Sequence, residues 1–136
     1  MTALAPAFAA VPALAWAGLV VTPLIVAVGQ VLFKLAGDRI GTRGNAPWGA
    51  EGVLGTLLHT ALDPFMVAAL LLYALGTVLW VATLRHVPLT LAHPFMALTF
   101  VLVPLMSWAT LGEVIDMRYV LGLTLILVGL GVVVAR

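Results

Sequence analysis

Every carboxylate in this chain lies outside its four long apolar runs. Asp38, Glu51, Asp63, Glu113 and Asp116 all fall in connections or at run ends. Apolar runs near or above about 18 residues are the signature of membrane-spanning helices. The composition agrees: 64% of residues are hydrophobic and 8% charged, whereas a soluble domain uses roughly 25% charged residues to cover its surface. The chain's solvent must therefore largely be lipid. Four spans of about 20 residues each nearly exhaust the 136 residues. The expected fold is all-α: one polytopic membrane domain over 1–136, with spans at about 13–36, 63–85, 88–110 and 117–135 and a polar loop at 37–62, working as a dimeric bundle.

Several function classes fall away. A net charge of +1 is too small for a nucleic-acid partner. With no cysteine there is no disulfide, thiolate metal site or cysteine nucleophile. No Ser-His-Asp spacing, phosphate loop or metal motif occurs, so neither an enzyme nor a metal or other cofactor is expected. The first ten residues, M-T-A-L-A-P-A-F-A-A, lack Lys and Arg. A secretory signal needs a basic start, so they are expected to lead directly into the first span.

Taken in order, the first span contains Thr22-Pro23 and V-G-Q-V-L-F-K-L-A-G-D, with Gly37-Asp38 expected to stop the helix. The loop that follows carries glycines, Asn45-Ala46-Pro47 and mixed charges, all turn formers. Trp48 in it suits an interfacial anchor. Val53 to Leu62 fits either a short helix on the membrane surface or an extension of the second span. Asp63-Pro64 reads as an N-cap followed by proline at the first helical position. Only His86-Val87 separates the second span from the third, which predicts a tight antiparallel hairpin. The third is interrupted by Pro94 and Pro104, and Gly112-Glu113 closes it. Lys34, Arg39, Arg43 and Arg118 fall on the loop side, and Arg85 and Arg136 on the terminal side. That distribution gives a slight bias for a cytoplasmic loop, small enough to allow dual insertion.

The polar side chains near the spans are cations and amides. Gln30 and Lys34 are four apart and share a helix face, with Gln30 roughly 6 Å deeper. Together they could hold a phosphate, lysine as a point charge and glutamine as a neutral donor. The plainer alternative has Lys34 snorkelling to headgroups and Gln30 bonding a neighbouring helix. His93 lies inside the third span and is followed by Pro94, which removes a backbone donor and disturbs the preceding turn. It reads equally as a ligand-facing group or as a histidine bonded to its neighbours. Arg85 and His86 share its interface. Lys34 and His93 belong to opposite membrane faces, so an antiparallel pair of subunits would bring them to one level and a parallel pair would not. Gly122 and Gly129, seven apart, form a small-residue stripe suited to close helix packing, either at a dimer contact or within the subunit. Ser107, Thr99, Thr77 and Tyr73 are expected to be hydroxyls that bond their own helices. Trp80 and Trp108 suit interfacial belts.

The order of V-G-Q-V-L-F-K-L-A-G, R-H-V-P-L-T-L-A-H-P-F, L-G-E-V-I-D and G-L-T-L-I-L-V-G-L-G over about residues 20–135 resembles the drug/metabolite transporter superfamily. The size is similar to its four-helix members, which look like the small multidrug resistance proteins. Those exporters carry a glutamate three residues before the glycine that matches Gly29; here the position is Val26. That departure argues against proton-coupled export of cationic drugs, which needs a buried acid. The G-Q-x-L-F-K form resembles the flippase subunits for aminoarabinose-phosphoundecaprenol and related polyprenyl-phosphate sugars. The resemblance implies movement of a lipid-linked sugar across the bacterial inner membrane, in lipid A modification and polymyxin resistance. It also implies a pair of subunits, either a homodimer or a heterodimer with a related subunit.

The expected function is therefore translocation of a polyprenyl phosphate, with or without its sugar. The phosphate would rest against Lys34 and Gln30, with His93, Arg85 or Arg39 as further donors. Two other classes stay open. One is a small multidrug-type exporter with Glu113 or Asp116 supplying the acid from a helix end. The other is a membrane adaptor for a glycosyltransferase.

Overall fold

A computed structural model describes residues 12–43 and 52–134, all helix and connecting turns. The expected lead into the first span, M-T-A-L-A-P-A-F-A-A, together with Asn45-Ala46-Pro47, Trp48 and Arg136, lies outside the described residues. Helix α1 runs Ala13–Arg43 and α2 runs Gly52–Leu62. Helix α3 is Pro64–Leu84 and α4 is Leu89–Ala92. A 3-10 segment, His93–Leu98, leads into α5, Thr99–Leu111, and α6 is Met117–Val134. Among the described residues, Ala13–Gly41, Pro64–Leu84 and the composite Leu89–Leu111 are long and apolar enough to cross a membrane. Helix α6 is apolar and shorter.

The expected stop at Gly37-Asp38 is not where α1 ends. The Asp38 carboxylate accepts from Lys34 Nζ at 2.8 Å, one turn back, and opposite charges at this spacing support a helix. Helix α1 therefore continues to Arg43, so part of the expected loop is helical. Asp63 does separate α2 from α3: its carboxylate caps the Phe65 N–H at 2.9 Å, and Pro64 occupies the first helical turn. Val53–Leu62 is thus a helix of its own rather than a continuation of the second span.

The third apolar run is one span made of three pieces. Pro94 has no N–H to give the carbonyl four residues back, and the chain tightens into 3-10 geometry over His93–Leu98. Thr99 Oγ1 donates to the Met96 carbonyl at 2.7 Å where the α-helix resumes. Gly112, with φ 68, ends α5 in the left-handed conformation, which glycine reaches without a Cβ penalty.

Helix α1 is the centre of the fold. It packs along α3 and also meets the 3-10 segment and α5. Small residues permit this approach. A Cβ on Gly18 would meet the Thr83 side chain, one on Gly29 would meet the Tyr73 ring, and one on Gly76 would lie 3.1 Å from Ile25 Cγ2. The apolar core gathers at the end of the bundle where α1 begins. Ala15, Leu19, Val87, Leu91 and Ala92 are buried there, with Trp16, Trp80, Leu84 and Phe95 packed around them. The Trp16 and Phe95 rings meet edge to face at 5.9 Å. Elsewhere many large apolar side chains are exposed, among them Leu71, Leu75 and Val78 on α3 and Leu121, Leu125 and Val128 on α6. Exposed apolar faces on this scale suit hydrocarbon rather than water.

Candidate functional site

Two sets of polar residues occupy opposite ends of the bundle. Phe95 packs on Trp16, which fixes His93 near the start of α1. Lys34 stands 18 residues beyond Trp16 on the same helix, a rise of about 27 Å. Arg85, the C-cap of α3, and His86 share the His93 end. All three side chains are exposed, and no hydrogen bond or ion pair joins them among the described residues.

The Lys34 end is more developed. With no Cβ on Gly29, the Tyr73 ring lies across α1. Its hydroxyl accepts from Gln30 Nε2 at 2.6 Å, and its ring meets Phe33 with centroids 5.2 Å apart. Gln30 is therefore tied to α3 through a residue 43 positions away. One turn further, Lys34 donates to Asp38, both side chains about half exposed. Arg39 stacks its guanidinium over Phe65 at 4.5 Å from the ring centroid. Its Nη1 stands 3.7 Å from Asp63 Oδ2. Asp63 is buried, at 3% exposure, so this cation partly compensates a carboxylate removed from water.

Asp38, expected in the loop, lies instead in the last turns of α1. No acid lies deep in a span, but Lys34 and Arg39 each face a carboxylate. An arriving anion would compete with Asp38 for Lys34 and with Asp63 for Arg39.

Two of the hydroxyls expected to bond their own helices do so: Thr77 donates to the Tyr73 carbonyl at 2.8 Å, and Thr99 to that of Met96. Tyr73 and Ser107 do not. Tyr73 receives Gln30, and Ser107 Oγ donates to Glu113 Oε2 at 2.7 Å. Sequence gave no signal for the first pairing. The second was within reach, because Glu113 follows a glycine that turns the chain back over α5. Among the described residues, nothing lies within 4 Å of a Cβ added at Gly122 or Gly129. Among the described residues there is no group of three or more His, Asp or Glu that could hold a metal ion.

These helices define a multi-pass membrane protein with a polar seam between its first and second spans. The chain is 32% identical over 111 residues to a Pseudomonas paraeruginosa protein named probable 4-amino-4-deoxy-L-arabinose-phosphoundecaprenol flippase subunit ArnE, covering 82% of this chain and 89% of that one. It is 31% identical over 114 residues to the Pseudomonas savastanoi pv. phaseolicola protein of the same name, covering 84% and 91%. With the Pectobacterium atrosepticum protein of that name the identity is 42% over 65 residues, 48% of this chain. The chain spans little more than half the length of that relative and of the Klebsiella pneumoniae one, 57% and 55% respectively. The chain belongs to the ArnE flippase-subunit family. No protein-family model matches it, and no solved structure does.

Proposed function

We propose that this chain is one subunit of an inner-membrane flippase that carries a polyprenyl-phosphate-linked sugar between leaflets. Family membership supports the class of cargo, since the relatives' name specifies an aminoarabinose-phosphoundecaprenol flippase subunit. The observation that carries the site is the seam between α1 and α3, where Gln30 is fixed by Tyr73 one turn from Lys34. A phosphate at this seam gains the Lys34 ammonium as counter-ion, with Gln30 and Arg39 as neighbouring donors. His93 and Arg85 supply a second cationic station at the opposite face. The polyprenyl tail stays in lipid, so only the head crosses. No bond is made or broken, and the role is transport rather than catalysis.

In this reading α6 is the fourth span and its open stripe meets a second subunit, either another copy or a related chain. Support comes from Gly122 and Gly129, where an added Cβ meets nothing within 4 Å among the described residues, and from exposed Leu125 and Val132 beside them. Small residues at such a stripe let helices approach closely in lipid.

The test is leaflet exchange in vesicles. Aminoarabinosyl-phosphoundecaprenol is distributed across both leaflets, and a membrane-impermeant amine reagent reports how much is reachable from outside. The protein is reconstituted alone and together with a co-expressed related subunit. Complete labelling in either arm, against labelling of the outer leaflet only in protein-free vesicles, is the expected result. Labelling confined to the outer leaflet in both arms would contradict translocation.

A further inference from the structure

Helix α2, Gly52–Leu62, has no part in the phosphate seam. Its sequence divides cleanly when wound at 3.6 residues per turn. Val53, Leu54, Leu57, Leu58, Ala61 and Leu62 fill one half of its circumference, and Gly52, Gly55, Thr56, His59 and Thr60 the other. A helix on a water-facing surface buries its apolar half. Here that half is exposed throughout, Leu54 at 71% and Leu62 at 75%, whereas Gly55, Thr56 and Thr60 are half-buried. The two threonines bond within their own helix: Thr56 Oγ1 donates to the Gly52 carbonyl at 3.1 Å and Thr60 Oγ1 to the Thr56 carbonyl at 2.7 Å. No residue of α2 is buried, so nothing among the described residues covers its apolar half.

The place of α2 in the fold decides what does. A single residue, Asp63, joins it to α3, and the extended backbone there, with ψ 132, turns the chain between the two helices. Helix α3 has 21 residues, a rise of about 32 Å, against a hydrocarbon core of about 30 Å. Its first turn therefore stands at the boundary between hydrocarbon and water, and α2 stands there with it. The 11 residues of α2 span about 16 Å, too little to cross. Helix α3 exposes Val67, Leu70 and Leu71 in its first two turns, so the lipid-facing surface of the span continues up to the joint. Cations mark the same level. Arg39 lies over Phe65 and beside Asp63, and Lys34 is on the same helix, both side chains about half exposed. They are placed to meet anionic headgroups.

We propose that α2 lies in the membrane interface at the Lys34 end, its leucine half among the acyl chains of that leaflet and its threonine half against the bundle. A helix seated in this way sinks about 5–10 Å into the boundary. It holds Asp63, and with it Arg39, at headgroup level. The inference rests on the membrane placement of the spans and not on the cargo.

The experiment uses the absence of cysteine, which lets single substitutions carry a nitroxide without background. Leu54→Cys, Leu58→Cys, His59→Cys and, within α3, Leu75→Cys are labelled in the full chain and reconstituted into phosphatidylethanolamine–phosphatidylglycerol vesicles. Electron paramagnetic resonance saturation compares oxygen, which partitions into lipid, with a water-soluble nickel chelate. Labels at 54 and 58 are expected about 5–10 Å below the phosphates, reached by oxygen and shielded from nickel. The label at 75 is expected near the bilayer centre, about 15 Å deep, and the label at 59 within reach of nickel. Nickel access at 54 and 58 equal to that at 59 would put α2 in water and overturn the proposal. Shielding of 54 and 58 from both reagents would mean that protein, such as a second subunit, covers this half, and would overturn it equally. Leu57→Cys replaces either leucine variant that fails to fold.

Discussion

Gln30 Nε2 donates to the Tyr73 hydroxyl at 2.6 Å, the contact that joins the first span to the second beside the candidate phosphate contact. Tyr73→Phe removes the hydroxyl and keeps the ring that fills the space over Gly29. Losing one such hydrogen bond costs about 1 kcal/mol. Thermal unfolding in detergent should show a small decrease in stability, and lipid retention should fall several-fold because Gln30 is no longer oriented. Unchanged retention would mean that Gln30 is not part of the site.

Gly29→Leu puts a side chain where the Tyr73 ring lies, and Gly18→Val does the same against Thr83. Each should destabilise the α1–α3 pair by about 1–3 kcal/mol, the usual cost of overpacking. Gly122→Ala meets nothing within 4 Å among the described residues, so it should leave the isolated subunit within about 0.5 kcal/mol of wild type. Unfolding in mixed micelles compares the three.

Thr22 Oγ1 is buried with no hydrogen-bond partner among the described residues. An unsatisfied buried hydroxyl costs about 1–3 kcal/mol. Thr22→Val keeps the shape without the polar atom, and should raise the melting temperature. A lower melting temperature would show that the hydroxyl is satisfied in the membrane.

Asp63 caps α3 and faces Arg39. Asp63→Ala should cost about 1–2 kcal/mol through loss of the cap. Asp63→Asn should recover most of that stability, while releasing Arg39 from its ion pair and strengthening retention of lipid phosphate. The paired variants separate the cap from the charge when melting and retention are measured on the same samples.

Much of the architecture was legible because it depends on local chemistry. The Asp63-Pro64 boundary, the disturbance at Pro94 and the turn at Gly112 each follow from one or two residues, whereas the tight hairpin expected from His86-Val87 does not form: the connection is 85–88, and the third span packs on α1 rather than on α3. The end of α1 is not legible locally: Gly37-Asp38 resembles a stop, yet Lys34 and Asp38 stand at the spacing of a helical ion pair and the helix continues to Arg43. Gln30 and Lys34 could be placed on one face from their spacing. That Tyr73 completes their surroundings could not, since the contact spans 43 positions and depends on Gly29 for its space. Gly18 and Gly76 belong to the same close approach of two helices, and nothing local marks them. The Gly122–Gly129 stripe is visible in the sequence, and an added Cβ at either glycine meets nothing within 4 Å among the described residues.

The most direct test of the central claim is native mass spectrometry of the detergent-purified protein with undecaprenyl phosphate, wild type beside Lys34→Ala. Lipid retained by the wild type and lost from the variant is the predicted result, and would put the phosphate on the first span. Equal retention by both proteins would contradict the assignment of Lys34. Failure of the wild type to retain the lipid, together with retention of hydrophobic cations, would contradict the lipid-phosphate reading as a whole.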